Sequence, residues 1–279
     1  MIKGLYTSAM GMLIQEAEQN ITTNNLANVN TTGYKKDRIT FEEFPTMLEL
    51  RLNDTKLAPG QKFYMPPEIG KLGTGVILDQ VTTNHEAGSL RETFNPTDLA
   101  LDNKAYFAVQ TPDGIRYTKD GQFRVTQDGF LVTRQGYRVL GTQEEPQHLQ
   151  SMIDPDGNLA NNIAPVVIED DIAFTIDEDG RVLNNNVDSG QAVLKVAFRN
   201  TNHLDKEGGN YYKLTDGAAL YDGNSVMKQG FLENSNVNVV QEMVNMIRLS
   251  RAYEANSKIL TGIDERIGQA AREVGAIRG

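Results

Sequence analysis

Residues 249–277 read LSRAYEANSKILTGIDERIGQAAREVGAI, and mostly apolar positions recur along them at alternating spacings of four and three residues. This heptad pattern predicts a long helix with one apolar seam. The seam consists of Leu249, Tyr253, Asn256, Leu260, Ile263, Ile267, Ala270, Val274 and Ile277. Asn256 is polar, and a lone polar residue in such a seam usually fixes the register of helix packing at some cost in stability.

This C-terminal helix is predicted to begin near Asn238, because Asn238-Val-Val-Gln241 resembles a capping box. A second helix is predicted at the N-terminus, ending near Asn28, where an Asn- and Thr-rich run favours caps and turns. Its apolar residues at helical spacing are Ile2, Leu5, Ala9, Met12, Leu13, Ala17 and Ile21.

Each helix must bury its apolar face, since propensity alone rarely sustains a helix in water. Antiparallel packing of the two helices within one chain would satisfy this requirement. Packing against other copies of the chain would satisfy it equally well. The periodicity does not separate these alternatives.

Between the helices, over 74–228, short strand-like segments replace the helical period. Asp-Gly pairs, which favour tight hairpin turns, separate these segments. The pairs stand at 113–114, 120–121, 128–129, 156–157, 179–180, 216–217 and 222–223. Residues 41–73 contain four prolines and fit neither pattern, so we interpret them as an extended connection.

The predicted fold class is therefore α+β. The N- and C-terminal helices are expected to form a coiled-coil-like bundle, and the centre an antiparallel all-β domain. The predicted organisation is a terminal helical domain formed by 1–40 and 235–279, an extended connecting loop at 41–73, and a β-rich body at 74–234.

Composition excludes several classes of function. A net charge of −10 argues against nucleic-acid binding, which needs a basic surface. Zero cysteines exclude disulfides, thiolate metal sites and a cysteine nucleophile. The N-terminus lacks the features of a secretory signal, and the sequence has no long apolar run, so neither signal-peptide cleavage nor membrane insertion is predicted.

Candidate catalytic and metal-ligating residues are not persuasive. The histidines at 85, 148 and 203 stand alone, without ligands at metal spacing, and are interpreted as ordinary surface or turn residues. Two Asp-rich runs, 154–158 and 177–180, lack the bidentate glutamate of a calcium loop and fit hairpin turns better. We therefore predict no enzyme activity, no cofactor and no metal.

Three blocks of sequence stand out as motifs. The N-terminal block is LYTSAMGML at 5–13 followed by NNLANVNTTGYK at 24–35. The C-terminal block is QGFLENSNVNVV at 229–240, continued by RAYEANSK at 251–258. Between them lie TFNPTDLAL at 93–101 and YTKDGQF at 117–123. The three blocks resemble the flagellar hook–basal body family, which comprises rod, hook and hook-associated proteins, and the middle block is similar to the β domain that rod and hook proteins share. Residues 103–107 lack the glycines that relatives usually carry there.

The resemblance implies a structural subunit of the bacterial flagellar basal-body rod, which polymerises into a hollow helical shaft and transmits motor torque to the hook. The implied partners are copies of itself, other axial proteins (rod and hook subunits) and the flagellar export apparatus. The implied location is the extracytoplasmic basal body, reached without signal cleavage. The predicted assembly interface consists of Leu5, Ala9, Met12, Leu13, Ile21, Asn24, Asn25, Leu26, Asn28, Leu249, Tyr253, Asn256, Leu260, Ile263 and Ile267.

Two other functions remain open at the level of sequence. A hook or hook-associated protein would share the same terminal motifs. A β-rich carbohydrate-active enzyme would need a pair of carboxylates in a concave site, and the sequence defines no such pair.

Overall fold

The structure is a computed structural model, and it describes residues 2–43, 47–50, 68–73, 75–102, 105–142, 163–168, 174–185, 187–215, 220–221 and 225–276. The long helices are α1 (Ile2–Ala27) and α2 (Val239–Ala276), and a short 3-10 helix spans Thr201–His203. The strands are β1 (Asp37–Glu43), β2 (Met47–Leu50), β3 (Glu68–Leu72), β4 (Val76–Thr83), β5 (Leu90–Glu92), β6 (Leu99–Leu101), β7 (Ala105–Thr111), β8 (Gly114–Thr118), β9 (Phe123–Val125), β10 (Leu131–Thr133), β11 (Arg138–Thr142), β12 (Ile163–Pro165), β13 (Phe174–Ile176), β14 (Arg181–Asn184), β15 (Val187–Val193), β16 (Lys195–Phe198), β17 (Leu204–Lys206), β18 (Tyr211–Leu214), β19 (Leu220–Tyr221), β20 (Met227–Gln229) and β21 (Phe231–Glu233).

The chain divides into two compact units. The helical unit comprises Met1–Asn24, Arg38–Thr82 and Val240–Gly279. The β unit comprises Asn25–Asp37 and Thr83–Val239.

This division differs from the predicted organisation in two places. Strands β1 to β4 group with the helices, except for the end residues Asp37 and Thr83, and they form two separate sheets, β1 with β4 and β2 with β3. Residues 25–37 group with the β body instead of the N-terminal helix. As a functional division, the limits 1–40, 41–73 and 74–234 stay a prediction.

Both predicted helices are present. Helix α1 ends at Ala27, one residue before the predicted end. Helix α2 begins at Val239, which puts Asn238 in the predicted cap position, and Glu242 adds a negative charge near the positive end of the helix dipole. No helix within the described part of the chain is long and apolar enough to cross a membrane.

The β unit is built on one antiparallel sheet, as predicted. Its main path runs β13-β14-β15-β11-β7-β8-β18-β17, and each neighbouring pair is antiparallel. The shorter ladders β20–β6 and β21–β5 are antiparallel as well. A central antiparallel all-β domain is therefore confirmed.

Strand β7 carries the core of this unit on both faces. Phe107 and Val109 belong to one buried cluster, while Tyr106 and Ala108 belong to a second cluster on the opposite side. Because alternate residues of a strand point to opposite faces, a strand covered on both sides becomes a continuous buried run.

Three Asp-Gly pairs lie in hairpin turns, as predicted. They connect β7 to β8 at 113–114, β9 to β10 at 128–129, and β13 to β14 at 179–180, and each glycine has a positive φ. The pair at 120–121 lies in the connection between β8 and β9 instead. The remaining three pairs fall outside the described residues, as do residues 103 and 104 of the block that departs from the family pattern.

The described residues of 41–73 are more ordered than the predicted extended connection. Strands β2 and β3 pair antiparallel, with Leu48 opposite Lys71. None of the four prolines falls within β2 or β3, so the residues of both strands keep the N–H groups that a ladder needs.

A matched pair of valine substitutions would locate the core. Val109→Ala should lower the free energy of unfolding by about 2 kcal/mol, because the side chain is fully buried in β7. Val187→Ala, at a position 68% exposed, should change it by less than about 0.5 kcal/mol. Chemical denaturation of both variants measures the difference, and equal losses would contradict this description of the core.

Candidate assembly interface

The predicted seam of α2 faces the interior of the helical unit over part of its length. Leu249 is only 8% exposed, and Asn256, Leu260, Ile263 and Ile267 are half-buried. Tyr253 and Ala270 are exposed, while the side chain of Val274 and residue Ile277 lie outside the described residues. The seam is therefore partly occupied within the chain.

Helix α1 packs against this seam. The Asn256 amide donates to Gln15 Oε1 at 3.2 Å, and a Cβ built at Gly11 would lie 3.1 Å from Asn256 Nδ2. One further contact joins Gly4 to Ile263. Residues with higher numbers in α1 contact residues with lower numbers in α2, so the two helices run antiparallel. Of the two alternatives that the sequence left open, packing within one chain is therefore present here.

A groove of about 390 Å³ lies in the helical unit between α1, α2, β1 and β4. Its apolar lining comprises Ile14, Phe41, Val76, Leu249 and Ala252. Its polar lining comprises Gln15, Glu18, Asn245 and Arg248.

A second apolar face of α2 is exposed, and the sequence analysis missed it. Val240, Met243, Val244 and Ile247 are each between 49% and 71% exposed. Their spacing of three and four residues places them on one stripe of the helix. The same spacing is visible in the sequence, where it stands beside the longer heptad that begins at Leu249.

The predicted interface residues of α1 differ in exposure. Leu13 is 59% exposed and Asn24 is exposed, so both side chains are accessible. The half-buried members are Leu5, Ala9, Met12, Ile21, Leu26 and Asn28. An interface role for these residues stays a prediction.

Asn25, a further predicted interface residue, makes its hydrogen bonds inside its own chain. Its side chain is buried, donates to the Asp37 carbonyl at 2.9 Å, and accepts from Tyr34 Oη at 3.0 Å and the Asp37 N–H at 2.9 Å. These bonds hold the turn that follows α1. An interface role for Asn25 stays a prediction, as it does for the other residues of this set.

A buried cluster of charges in the β unit joins the segment after α1 to the strand before α2. Lys35 Nζ donates to Glu233 Oε1 at 2.6 Å and to the Glu86 carbonyl at 2.6 Å. The Gly88 N–H donates to the same carboxylate oxygen at 2.8 Å, and Lys119 Nζ lies 3.3 Å from Glu233 Oε2. Lys35, Lys119 and Glu233 are each no more than 2% exposed, so this cluster is a permanent part of the fold.

Two lysines share one carboxylate in this cluster. Burial lowers the pKa of Lys119, and the neighbouring positive charge of Lys35 adds to the effect, while the Glu233 carboxylate opposes both. The Leu101 carbonyl accepts a further hydrogen bond from Lys119 Nζ at 3.3 Å.

Two glycines allow the backbone to approach this cluster. A Cβ at Gly88 would lie 1.9 Å from the Asn234 carbonyl oxygen, and one at Gly33 would lie 2.4 Å from the Lys119 carbonyl carbon. Gly33 also has a φ of 66° and donates its N–H to the Glu233 carbonyl at 2.8 Å.

His85, predicted to be an ordinary surface or turn histidine, lies half-buried in the connection between β4 and β5. Its Nδ1 lies 2.6 Å from Tyr106 Oη, and its ring packs 5.5 Å from the ring of Tyr212. Burial, reinforced by the charges of Lys35 and Lys206, lowers its pKa to about 4. Burial likewise raises the pKa of both tyrosines above the ordinary range. His85 is therefore neutral at pH 7.

His203 lies in the 3-10 helix, and His148 falls outside the described residues. Of the two Asp-rich runs, 177–180 forms the predicted hairpin turn and 154–158 falls outside the described residues. No group of three or more metal-binding side chains occurs within the part of the chain that the structure describes.

Comparison with known protein families matches three regions of the chain. Residues 5–35 match the model described as flagella basal body rod protein, and residues 100–184 match the flagellar hook protein FlgE/F/G D1 domain. Residues 228–273 match the C-terminal domain of the flagellar basal body rod FlgEFG proteins. The first and last matches contain most of α1 and most of α2, respectively.

Known proteins resemble the chain over nearly its whole length. The flagellar basal-body rod protein FlgG of Buchnera aphidicola subsp. Acyrthosiphon pisum is 34% identical over 280 residues, which cover 96% of this chain and 98% of that protein. The chain belongs to the flagellar basal-body rod protein family. FlgG of Bacillus subtilis is 33% identical over 95% of this chain and 96% of its own length. The flagellar hook-basal body complex protein FlhO of the same organism is 32% identical over 99% and 100%.

In this rod-family chain, removing the shared carboxylate should destabilise the β unit. Glu233→Gln leaves two buried lysines without their counter-charge and should cost about 3 to 5 kcal/mol of unfolding free energy. The matched control is Glu207→Gln, which removes an exposed carboxylate paired with Arg116 and should cost much less. Urea denaturation compares the two, and a similar small loss in both variants would show that the buried cluster contributes little.

The His85 environment predicts a dependence of stability on pH. Between pH 6.5 and about 4 the unfolded chain binds a proton at this histidine that the folded chain does not, so stability should fall as the pH falls through this window. The contribution is at most about 1.4 kcal/mol per pH unit. His85→Gln should remove it, as measured by denaturation at several pH values.

Above pH 7 the two stability curves should run parallel, because His85 is neutral in both the folded and the unfolded chain there. If the wild-type and variant curves stay parallel down to pH 4.5, the description of His85 is wrong.

Proposed function

We propose that this chain is a structural subunit of the flagellar basal-body rod, which polymerises into a hollow helical shaft that carries motor torque to the hook. Membership of the rod protein family supports the proposal. The exposed apolar stripe on α2 is the structural observation that carries it.

The stripe offers a surface that favours association. An amphipathic helix normally turns its apolar residues toward a core, yet Val240, Met243, Val244 and Ile247 face solvent in the single chain. Contiguous exposed apolar residues commonly mark sites of interaction with other proteins. The groove and the partly covered seam lie in the same unit and add further surface.

The proposed contact joins different surfaces of neighbouring copies. Such a heterologous interface does not close on itself, so repeated addition produces a filament. An interface in the standard range buries about 1,200 to 2,000 Å², which supplies tens of kcal/mol gross before the cost of ordering is subtracted. A shaft with several such contacts for each subunit resists torsion.

In the assembled state we propose that α1 and α2 form the inner, coiled-coil-like layer of the tube. The antiparallel contact within one chain would then be retained or exchanged for contacts with neighbours. The predicted seam residues, from Leu249 to Ile267, are the proposed places of that exchange.

The proposed partners are other copies of the chain, other rod and hook subunits, and the flagellar export apparatus. The proposed location is the extracytoplasmic basal body, reached through that apparatus without cleavage of a signal peptide. Neither catalysis nor a cofactor has a role in this proposal.

A hook or hook-associated subunit is the second candidate, because one matching family model covers both hook and rod proteins. Electron microscopy of a deletion strain separates the two functions. Loss of a rod subunit should remove everything distal to the membrane ring, whereas loss of a hook subunit should leave the rod in place.

A charge placed in the exposed stripe should block polymerisation without unfolding the chain. Val244→Asp would bury a carboxylate in the proposed interface, so the protein concentration needed for assembly should rise at least about tenfold. Sedimentation of purified protein measures the assembled fraction. The melting temperature of the monomer should change little, because Val244 is 54% exposed.

Val187→Asp, the same substitution at an exposed valine of β15, is the matched control and should assemble as the wild type does. Normal assembly of Val244→Asp, or equal loss in both variants, would contradict the proposed role of the stripe.

A further inference from the structure

Phe94 is the most exposed large apolar side chain among the described residues, at 82%. It follows β5 in the β unit, and its backbone has a φ of 57°. A positive φ is uncommon for any residue other than glycine and unfavourable for a bulky one. The chain therefore holds an aromatic ring in solvent on a strained backbone, and no burial of the ring within the described residues offsets this cost.

The turn that carries Phe94 is held in place by several hydrogen bonds. The N–H groups of Thr93 and Phe94 both donate to the Gly230 carbonyl, at 2.8 and 3.3 Å. Thr93 Oγ1 donates to Asp98 Oδ2 at 2.8 Å, and the Gly230 N–H donates to the Asp98 carbonyl at 2.8 Å. The ring is therefore presented from a fixed support, which reduces the entropy lost when it binds.

We propose that the Phe94 ring of one copy inserts into the groove of the helical unit of a neighbouring copy. The inference rests on the proposed function, since it requires that copies of this chain assemble. It adds a specific pair of surfaces, one on the β unit and one on the helical unit, to the general expectation of association.

The groove suits this occupant in size and lining. Its volume of about 390 Å³ is concave space of the scale that accepts a small apolar group, and Ile14, Phe41, Val76 and Leu249 line it. An aromatic side chain typically buries about 150 to 250 Å² of surface. Such a ring at the centre of an interface often dominates the binding energy.

Charge supports the same pairing. Glu92 is exposed two residues before Phe94. In the lining of the groove Arg248 is exposed, whereas the acidic Glu18 is half-buried. Neither Glu92 nor Arg248 makes an ion pair with another described residue, so each charge is available to the other when the ring is inserted. Opposite charges at the edge of a contact favour encounter and help to set orientation.

The geometry also determines the kind of assembly. A projecting group on one surface and a groove on another form a heterologous contact, which leaves a free ring and a free groove on every pair of copies. Addition of further copies can therefore continue, as a shaft requires.

The absence of cysteine from the sequence makes a direct test possible. Asn95→Cys places one thiol beside Phe94, and Asn245→Cys places one thiol in the groove of a different chain. When the two single-cysteine proteins are mixed under assembly conditions with a short bifunctional thiol reagent, we expect a cross-linked heterodimer. Because each chain carries one thiol, the product reports contact between copies only.

Phe94→Gly in the Asn95→Cys chain removes the ring and supplies the residue that tolerates a positive φ. The melting temperature should stay equal or rise, while the cross-linked fraction should fall at least about tenfold. Val187→Ala in the same chain is the control, since it truncates an exposed apolar side chain elsewhere on the β unit and should leave the cross-linked fraction unchanged.

Two results would overturn the proposed insertion of the Phe94 ring and leave the proposed function standing. In the first, the wild type assembles while the cross-linked heterodimer is absent; in the second, the heterodimer persists undiminished in the Phe94→Gly chain. If the wild type stays monomeric at every concentration, self-assembly itself fails and both proposals are overturned.

Discussion

The buried contact between Lys35 and Glu233 is the constraint on which the organisation of this chain depends. The two residues are 198 positions apart, yet their charged atoms lie 2.6 Å from each other in the β unit. Lys35 follows the turn after α1, and Glu233 ends the strand before α2. One ion pair, with Lys119 and the Gly88 N–H as further partners of the carboxylate, therefore joins the two connections that lead to the helices. A buried carboxylate of this kind tolerates few alternatives, because removing one partner leaves an uncompensated charge.

The packing of α1 against α2 decides which apolar residues of α2 are covered and which stay exposed. Leu249 is covered within the chain, and Ile263 partly so, and Asn256 bonds to Gln15, so the heptad seam has a partner before any assembly occurs. The large apolar side chains that remain exposed include the stripe from Val240 to Ile247 and the isolated Phe94. A single chain thus covers part of the longer apolar pattern of α2 and leaves the shorter one exposed.

The β unit has a closely packed core. Strand β7 is buried on both faces, and the aromatic rings of Tyr106, Tyr212 and His85 pack together beside the charged cluster. Close packing of this kind resists deformation. Burial and the nearby charges of Lys35 and Lys206 favour the neutral state of His85, since both oppose a further positive charge.

The sequence by itself determined the two helices, their limits to within a residue or two, the antiparallel β body and the rod family, because periodicity, capping residues and Asp-Gly turns are local properties of the chain. The tertiary structure alone decided which apolar face is covered, since the two faces of α2 have similar spacing and differ only in what packs on them. It also decided that Asn25 is buried, that His85 is half-buried beside Tyr106, and that the interval 41–73 contains a paired ladder. Each of these depends on contacts between residues nine or more positions apart in the chain, and no local pattern records such contacts.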